Sequence, residues 1–168
     1  GVQVSYNADD AYLRIEANEF RNIVGSAMIG YLGGASANHR FSRIINNVFW
    51  LSDNNTYRGL SPGIIWAHDS ARAATNFFVA NNTTYGVGNP TNTGTLAQFA
   101  LQSTNTTGNT LANNIWESSY FSASNQGFTS VSNNAFYGNS GSGVPSGTPG
   151  QVNGSATTLS SASSGDFT

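Results

Sequence analysis

Short apolar runs punctuated by polar phrases set the rhythm of this chain. Five runs stand out: Leu13-Arg14-Ile15, Ile44-Ile45, Phe77-Phe78-Val79, Thr110-Leu111-Ala112 and Thr129-Ser130-Val131. Each is followed by a related phrase: Ala17-Asn18-Glu19-Phe20, Asn46-Asn47-Val48-Phe49, Asn81-Asn82-Thr83-Thr84, Asn113-Asn114-Ile115-Trp116 and Asn133-Asn134-Ala135-Phe136. The runs are too short for helices of about ten residues or more. They suit strands of about 4–6 residues. Residues 66–76, with polar groups at both ends, have the pattern of a short helix.

The shared asparagines are Asn18, Asn47, Asn82, Asn114 and Asn134, at intervals of 29, 35, 32 and 20 residues. Asparagine suits a tight turn, because it tolerates left-handed backbone angles and hydrogen-bonds locally. One strand–turn–strand phrase per repeat predicts a coil that passes the same corner once per turn. The asparagines then stack, and their amides hydrogen-bond along the stack. Insertions looping out of one edge account for the unequal intervals. An antiparallel sandwich also uses short strands and Asn/Gly turns. It does not require the same Asn-Asn-x-aromatic phrase after strand after strand. The expected fold is therefore all-β: a right-handed parallel β-helix of about five coils. On this reading Phe20, Phe49, Ile115 or Trp116, and Phe136 fall in one column.

Composition narrows the function classes. Charged residues make up 8% of the 168 and aromatic residues 12%. A typical chain carries about 25% charged residues. The surface is therefore built from Asn, Ser, Thr and Gly, and the aromatic content supplies a core. Lysine is absent, and the basic residues are Arg14, Arg21, Arg40, Arg43, Arg58 and Arg72. With a formal charge of −2 and no basic run, the chain lacks the clustered cations of a nucleic-acid binder. No apolar segment is long enough to span a bilayer. Cysteine is absent, which excludes disulfides and thiolate metal sites. Sequons of the Asn-x-Ser/Thr type occur at several places, Asn54, Asn81, Asn82 and Asn105 among them, as expected of a chain rich in Asn and Thr.

Asn46-Asn47-Val48-Phe49, Asn113-Asn114-Ile115-Trp116 and Ser132-Asn133-Asn134-Ala135-Phe136-Tyr137-Gly138-Asn139 resemble the rungs of the pectate-lyase-like superfamily. The resemblance covers roughly residues 12–140. Ser164-Gly165-Asp166-Phe167-Thr168 is similar to a Gly-Asp-Phe phrase that often closes such domains before more chain follows. The organisation expected is coils over 1–140 and a Gly/Ser/Thr/Pro-rich tail or linker over 141–168, within a longer protein. By analogy of fold, the resemblance implies an extracellular protein, secreted or on the cell surface, that binds or processes polysaccharide. A catalyst of this kind would be a polysaccharide lyase or glycoside hydrolase. The polygalacturonase motifs Asn-Thr-Asp, Gly-His-Gly and Arg-Ile-Lys are missing, and Asp9-Asp10 alone matches the remaining one. The epimerase motif Asp-Pro-His-Asp is represented only by His68-Asp69. Missing motifs and low charge suit an alternative, a structural or adhesive solenoid that associates end to end with its own kind.

Candidate chemistry rests on few residues. His68 and Asp69 pair a titratable imidazole with a carboxylate, although neighbours on a strand face opposite ways. A loop histidine beside a solvated aspartate gives the same sequence. Arg58, with Tyr57 beside it, belongs to a long insertion. A guanidinium there can hold a uronate carboxylate through two hydrogen bonds. Arg40 and Arg43, with His39 alongside, are candidates for the same groove; solubilising surface arginines read alike. Asp9-Asp10 supplies only two of the several oxygen ligands calcium takes, and no cofactor is expected. Trp50, Trp66, Trp116, Tyr85 and Tyr120 are sugar-stacking platforms if exposed, and core residues otherwise.

Overall fold

The computed structural model describes residues 2–4, 10–23, 29–31, 38–50, 65–67, 73–86, 99–101, 105–117, 127–137 and 150–154; for 3, 4, 10, 30, 31, 65–67, 99–101 and 153 this means the backbone alone. All regular structure among them is β, and every strand pair is parallel.

The chain passes through the same series of sheets again and again. The first pass gives β1 (Val2–Val4), β2 (Asp10–Ala11), β3 (Arg14–Glu16) and β4 (Glu19–Arg21). The second gives β5 (Ile29–Tyr31), β6 (Asn38–Arg40), β7 (Arg43–Ile45) and β8 (Val48–Trp50). The third gives β9 (Ile65–Ala67), β10 (Ala73–Thr75), β11 (Phe78–Ala80) and β12 (Thr83–Tyr85). Then come β13 (Phe99–Leu101), β14 (Thr110–Ala112), β15 (Ile115–Glu117), β16 (Ser130–Ser132), β17 (Ala135–Tyr137) and β18 (Val152–Gly154). The sheets run β1-β5-β9-β13, β10-β6-β2, β16-β14-β11-β7-β3 and β18-β17-β15-β12-β8-β4. Each strand thus pairs with its counterpart from the next pass, an arrangement compatible with a β-helix.

The short helix suggested over 66–76 does not include its described ends, and 68–72 lie outside the described residues. Ile65–Ala67 and Ala73–Thr75 are strands, paired with β5 and β13 and with β6. Pairing on the preceding pass outweighs a modest local preference. Within 141–168, Val152–Gly154 extends the sheet beyond β17.

In the sheets of β3 and β4 the strands turn their middle residue inward, and equal positions stack. Ile15, Ile44, Val79, Leu111 and Val131 form one inner column. Phe20, Phe49, Thr84, Trp116 and Phe136 form another. All of the second column are buried, and it is Trp116 that occupies the inward position, with Ile115 half-buried beside it. Phe20 stacks on Phe49 with centroids 4.9 Å apart, and Trp116 stacks on Phe136 at 5.0 Å. Such offset ring pairs add to the burial of their apolar area.

The corner between the two largest sheets divides its work between adjacent residues. Ala17, Asn46, Asn81, Asn113 and Asn133 take φ of 54–57°, and Gly150 takes 67°. The residue after each of the first five is the ladder asparagine, and Gln151 follows Gly150. Asn47 donates from its backbone N–H (3.0 Å) and its Nδ2 (3.1 Å) to Oδ1 of Asn82. Its Nδ2 also donates to the carbonyl of Ile15 on the preceding pass. Asn18 bonds to Asn47, Asn82 to Asn114 and Asn114 to Asn134 in the same way. Buried amides are costly unless bonded, and this chain bonds them on both sides.

Candidate functional site

A second corner, between the sheet of β2, β6 and β10 and the sheet of β3, β7 and β11, carries the exposed chemistry. Arg40 ends β6 and Arg43 begins β7, with Phe41 and Ser42 between them. Ser42 points inward and is buried; Arg40, Phe41 and Arg43 are exposed. On the preceding pass Tyr12 and Arg14 occupy the equivalent outward places. Arg14 is in register with Arg43, and Ala11 with Arg40. The Tyr12 N–H donates to the Arg40 carbonyl at 3.0 Å.

Two rings and three guanidinium groups therefore share one patch. Tyr12 and Phe41 stack with centroids 5.0 Å apart and planes 8° from parallel. Arg43 lies over the ring of Phe78, 5.0 Å from its centroid. Arg14 pairs with Glu16. The hydrogen bond to Glu16, then its charge, raises the Arg14 pKa above the already high arginine value. The Arg14 guanidinium therefore stays charged at ordinary pH. The patch can hold an anion and stack against a flat apolar surface.

The sequence-based candidates divide between inside, outside and beyond the described residues. Arg40 and Arg43 are brought to one corner. Tyr57, Arg58, His68 and Asp69 lie outside the described residues, and so does their convergence with Arg43. His39 does not line a groove with the arginines. It faces the core and is completely buried, because the middle position of β6 points inward. Trp50, Tyr85 and Trp116 are buried and offer no open platform; Arg21 lies over Trp50 at 5.2 Å. Tyr120, the side chain of Trp66 and the carboxylates of Asp9 and Asp10 also lie outside the described residues. Among the described residues no three of His, Cys, Asp and Glu gather where a metal could bind, and no helix is long and apolar enough to cross a membrane.

Tyr12 was not legible as a surface residue. An aromatic beside the apolar Leu13 reads as core, and its neighbour Phe41 lies a full pass away in sequence. Asn109 was missed too. It holds the inner side of this corner, accepting from Phe77 N–H at 2.8 Å and donating to the carbonyls of Ala74 (2.8 Å) and Gly127 (2.7 Å). Comparison with family models, with curated proteins and with solved structures finds no match for this chain.

Proposed function

We propose that this chain is a stretch of right-handed parallel β-helix of about five coils, of the pectate-lyase-like kind. It belongs to a secreted or cell-surface protein and binds an acidic polysaccharide along the coil axis. The observation that supports this most is the placement of exposed Arg14, Arg40 and Arg43 at one corner of two successive passes. Parallel strands repeat about every 4.8 Å. A sugar unit has a similar length, so a uronate chain along the axis meets a cationic position on each of the first two passes. With no lysine in the chain, arginines must carry the recognition, and Arg58 is a further candidate.

The test is titration with oligogalacturonate, alginate and a neutral glucan at low and high salt. Binding of the acidic glycans alone is expected, weakened by salt because exposed charges are screened beyond about 8–10 Å. An Arg40→Ala/Arg43→Ala double variant should lose it. Equal binding of the neutral glucan, or no loss in the variant, contradicts the reading.

A further inference from the structure

The Asn-x-Ser/Thr motif recurs along this chain, and the motif alone separates none of its copies. Conformation separates those at Asn81, Asn82 and Asn105. Asn82 is committed to the ladder. It is buried, and its Nδ2 donates to the Ile44 carbonyl and to Asn114 Oδ1, each at 2.9 Å. Asn81 is exposed, but the rest of its motif is held in the coil. Asn82 is fixed by the ladder, and the Thr83 N–H donates to the Asn47 carbonyl at 2.9 Å.

Asn105-Thr106-Thr107 is built otherwise. Asn105 and Thr107 are both exposed. Asn105 Oδ1 accepts from the Thr107 N–H at 3.3 Å and from the Thr107 hydroxyl at 3.1 Å. An asparagine side chain bonded to the backbone two residues on closes a local turn. This turn brings the hydroxyl against the carboxamide and leaves Nδ2 with no acceptor among the described residues. The backbone beneath is fixed. Ala74 N–H donates to the Asn105 carbonyl at 2.9 Å, and Asn76 N–H to the Thr107 carbonyl at 3.0 Å. The second of these repeats the bonds from Tyr12 to Arg40 and from Phe41 to Thr75. The turn therefore sits just before Gly108, the fourth-pass residue of the second corner. Asn109 Nδ2 supports it from the inner side, donating to the Thr106 carbonyl at 2.9 Å.

We infer that Asn105 is an N-glycan acceptor of this chain and that Asn82 is not. The donor is an oligosaccharide carried on a lipid pyrophosphate. Nδ2 bonds to C1 of the first sugar as the C1–O bond to the pyrophosphate breaks. Nδ2 gives up one proton, and the lipid pyrophosphate leaves; nothing is oxidised or reduced. An acceptor needs the hydroxyl two residues on, and a bulky hydrophilic glycan fits only at the surface. Asn105 meets both conditions and Asn82 fails the second. The inference rests on the secreted or cell-surface reading, since the transfer takes place in the secretory pathway, and it is independent of the arginine corner.

The experiment expresses the full chain behind a secretion leader in cultured animal cells. Glycans are mapped by mass spectrometry after an endoglycosidase that marks each occupied asparagine. Most secreted molecules should carry a glycan at Asn105 and none at Asn82. Asn105→Gln and Thr107→Ala should each abolish the Asn105 glycan, and Thr107→Ser should keep it. An unchanged far-UV circular dichroism spectrum for Asn105→Gln separates loss of the acceptor from loss of the fold. A folded chain with Asn105 bare, in these cells or from its own source, overturns the inference. So does a glycan at Asn82 in a folded chain, because that residue would then stand outside the ladder. Oligogalacturonate titration of the same material keeps the two readings apart. Acidic-glycan binding with Asn105 bare overturns the acceptor site alone. A glycan at Asn105 with no polysaccharide binding supports the acceptor site and overturns the polysaccharide reading.

Discussion

Asn47 and Asn82, 35 residues apart, share one oxygen: Asn82 Oδ1 accepts both the backbone N–H and the side-chain Nδ2 of Asn47. Both residues are buried, so water cannot replace either bond. Asn82→Ala leaves two donors of Asn47 without an acceptor and the Ile44 carbonyl without its donor. The expected cost is about 2–4 kcal/mol by denaturant unfolding. Asn18→Ala, at an exposed position, should cost no more than about 1 kcal/mol. Equal costs at the two positions would contradict a buried ladder.

The inner aromatic column makes a second prediction. Phe49 is fully buried and stacked on Phe20, so Phe49→Ala should lose about 3–5 kcal/mol. Its neighbour Val48 faces the other way and is half-buried, and Val48→Ala should cost less than half as much. A loss below about 1 kcal/mol for Phe49→Ala would show that the register is shifted by one.

Thr84 interrupts that column. It is completely buried between Phe49 and Trp116, and among the described residues its hydroxyl has no hydrogen-bond partner. A buried hydroxyl without a partner is unfavourable. Thr84→Val keeps the shape and removes the polar atom, so it should stabilise the fold by about 1 kcal/mol. Destabilisation on thermal unfolding would mean that the hydroxyl is satisfied.

The second corner gives a prediction about backbone shape. Gly108→Ala places a Cβ at φ +73°, against Oδ1 of Asn76, and should cost about 1–2 kcal/mol. Tyr12→Asn and Phe41→Asn, at the equivalent places, should leave stability unchanged or raise it by up to about 1 kcal/mol each. If both aromatic substitutions destabilise more than Gly108→Ala does, the rings support the fold rather than a ligand.

Glu16 tempers the charge of the patch by pairing with Arg14. Glu16→Gln should leave the melting temperature essentially unchanged, since exposed pairs contribute little. It should raise affinity for an acidic glycan about twofold to threefold at low salt. Lower affinity would place Arg14 outside the binding surface.

The first corner was legible in the sequence because one residue type repeats there. Asparagine both takes the left-handed angle, at 46, 81, 113 and 133, and supplies the amide, at 47, 82, 114 and 134. The second corner repeats a conformation without repeating a residue type. Tyr12, Phe41, Asn76 and Gly108 share φ but no chemistry, so no alignment of phrases reveals them. His39 looked like surface chemistry because it stands beside Arg40. Alternation along β6 sends the two in opposite directions. The helix suggested over 66–76 came from local composition, which carries no information about pairing with other passes.

Pass-on-pass register is the claim on which the ladder, the core columns and the ring–arginine patch all depend. Nuclear Overhauser spectroscopy with hydrogen exchange on the side-chain amides measures it directly. The account predicts cross-peaks between the Tyr12 and Phe41 rings and between the Asn47 and Asn82 side-chain amides. It also predicts slow exchange of the Asn47, Asn82 and Asn114 Nδ2 protons. Close Hα–Hα contacts between neighbouring strands, the mark of antiparallel pairing, together with fast exchange at those amides, would contradict it.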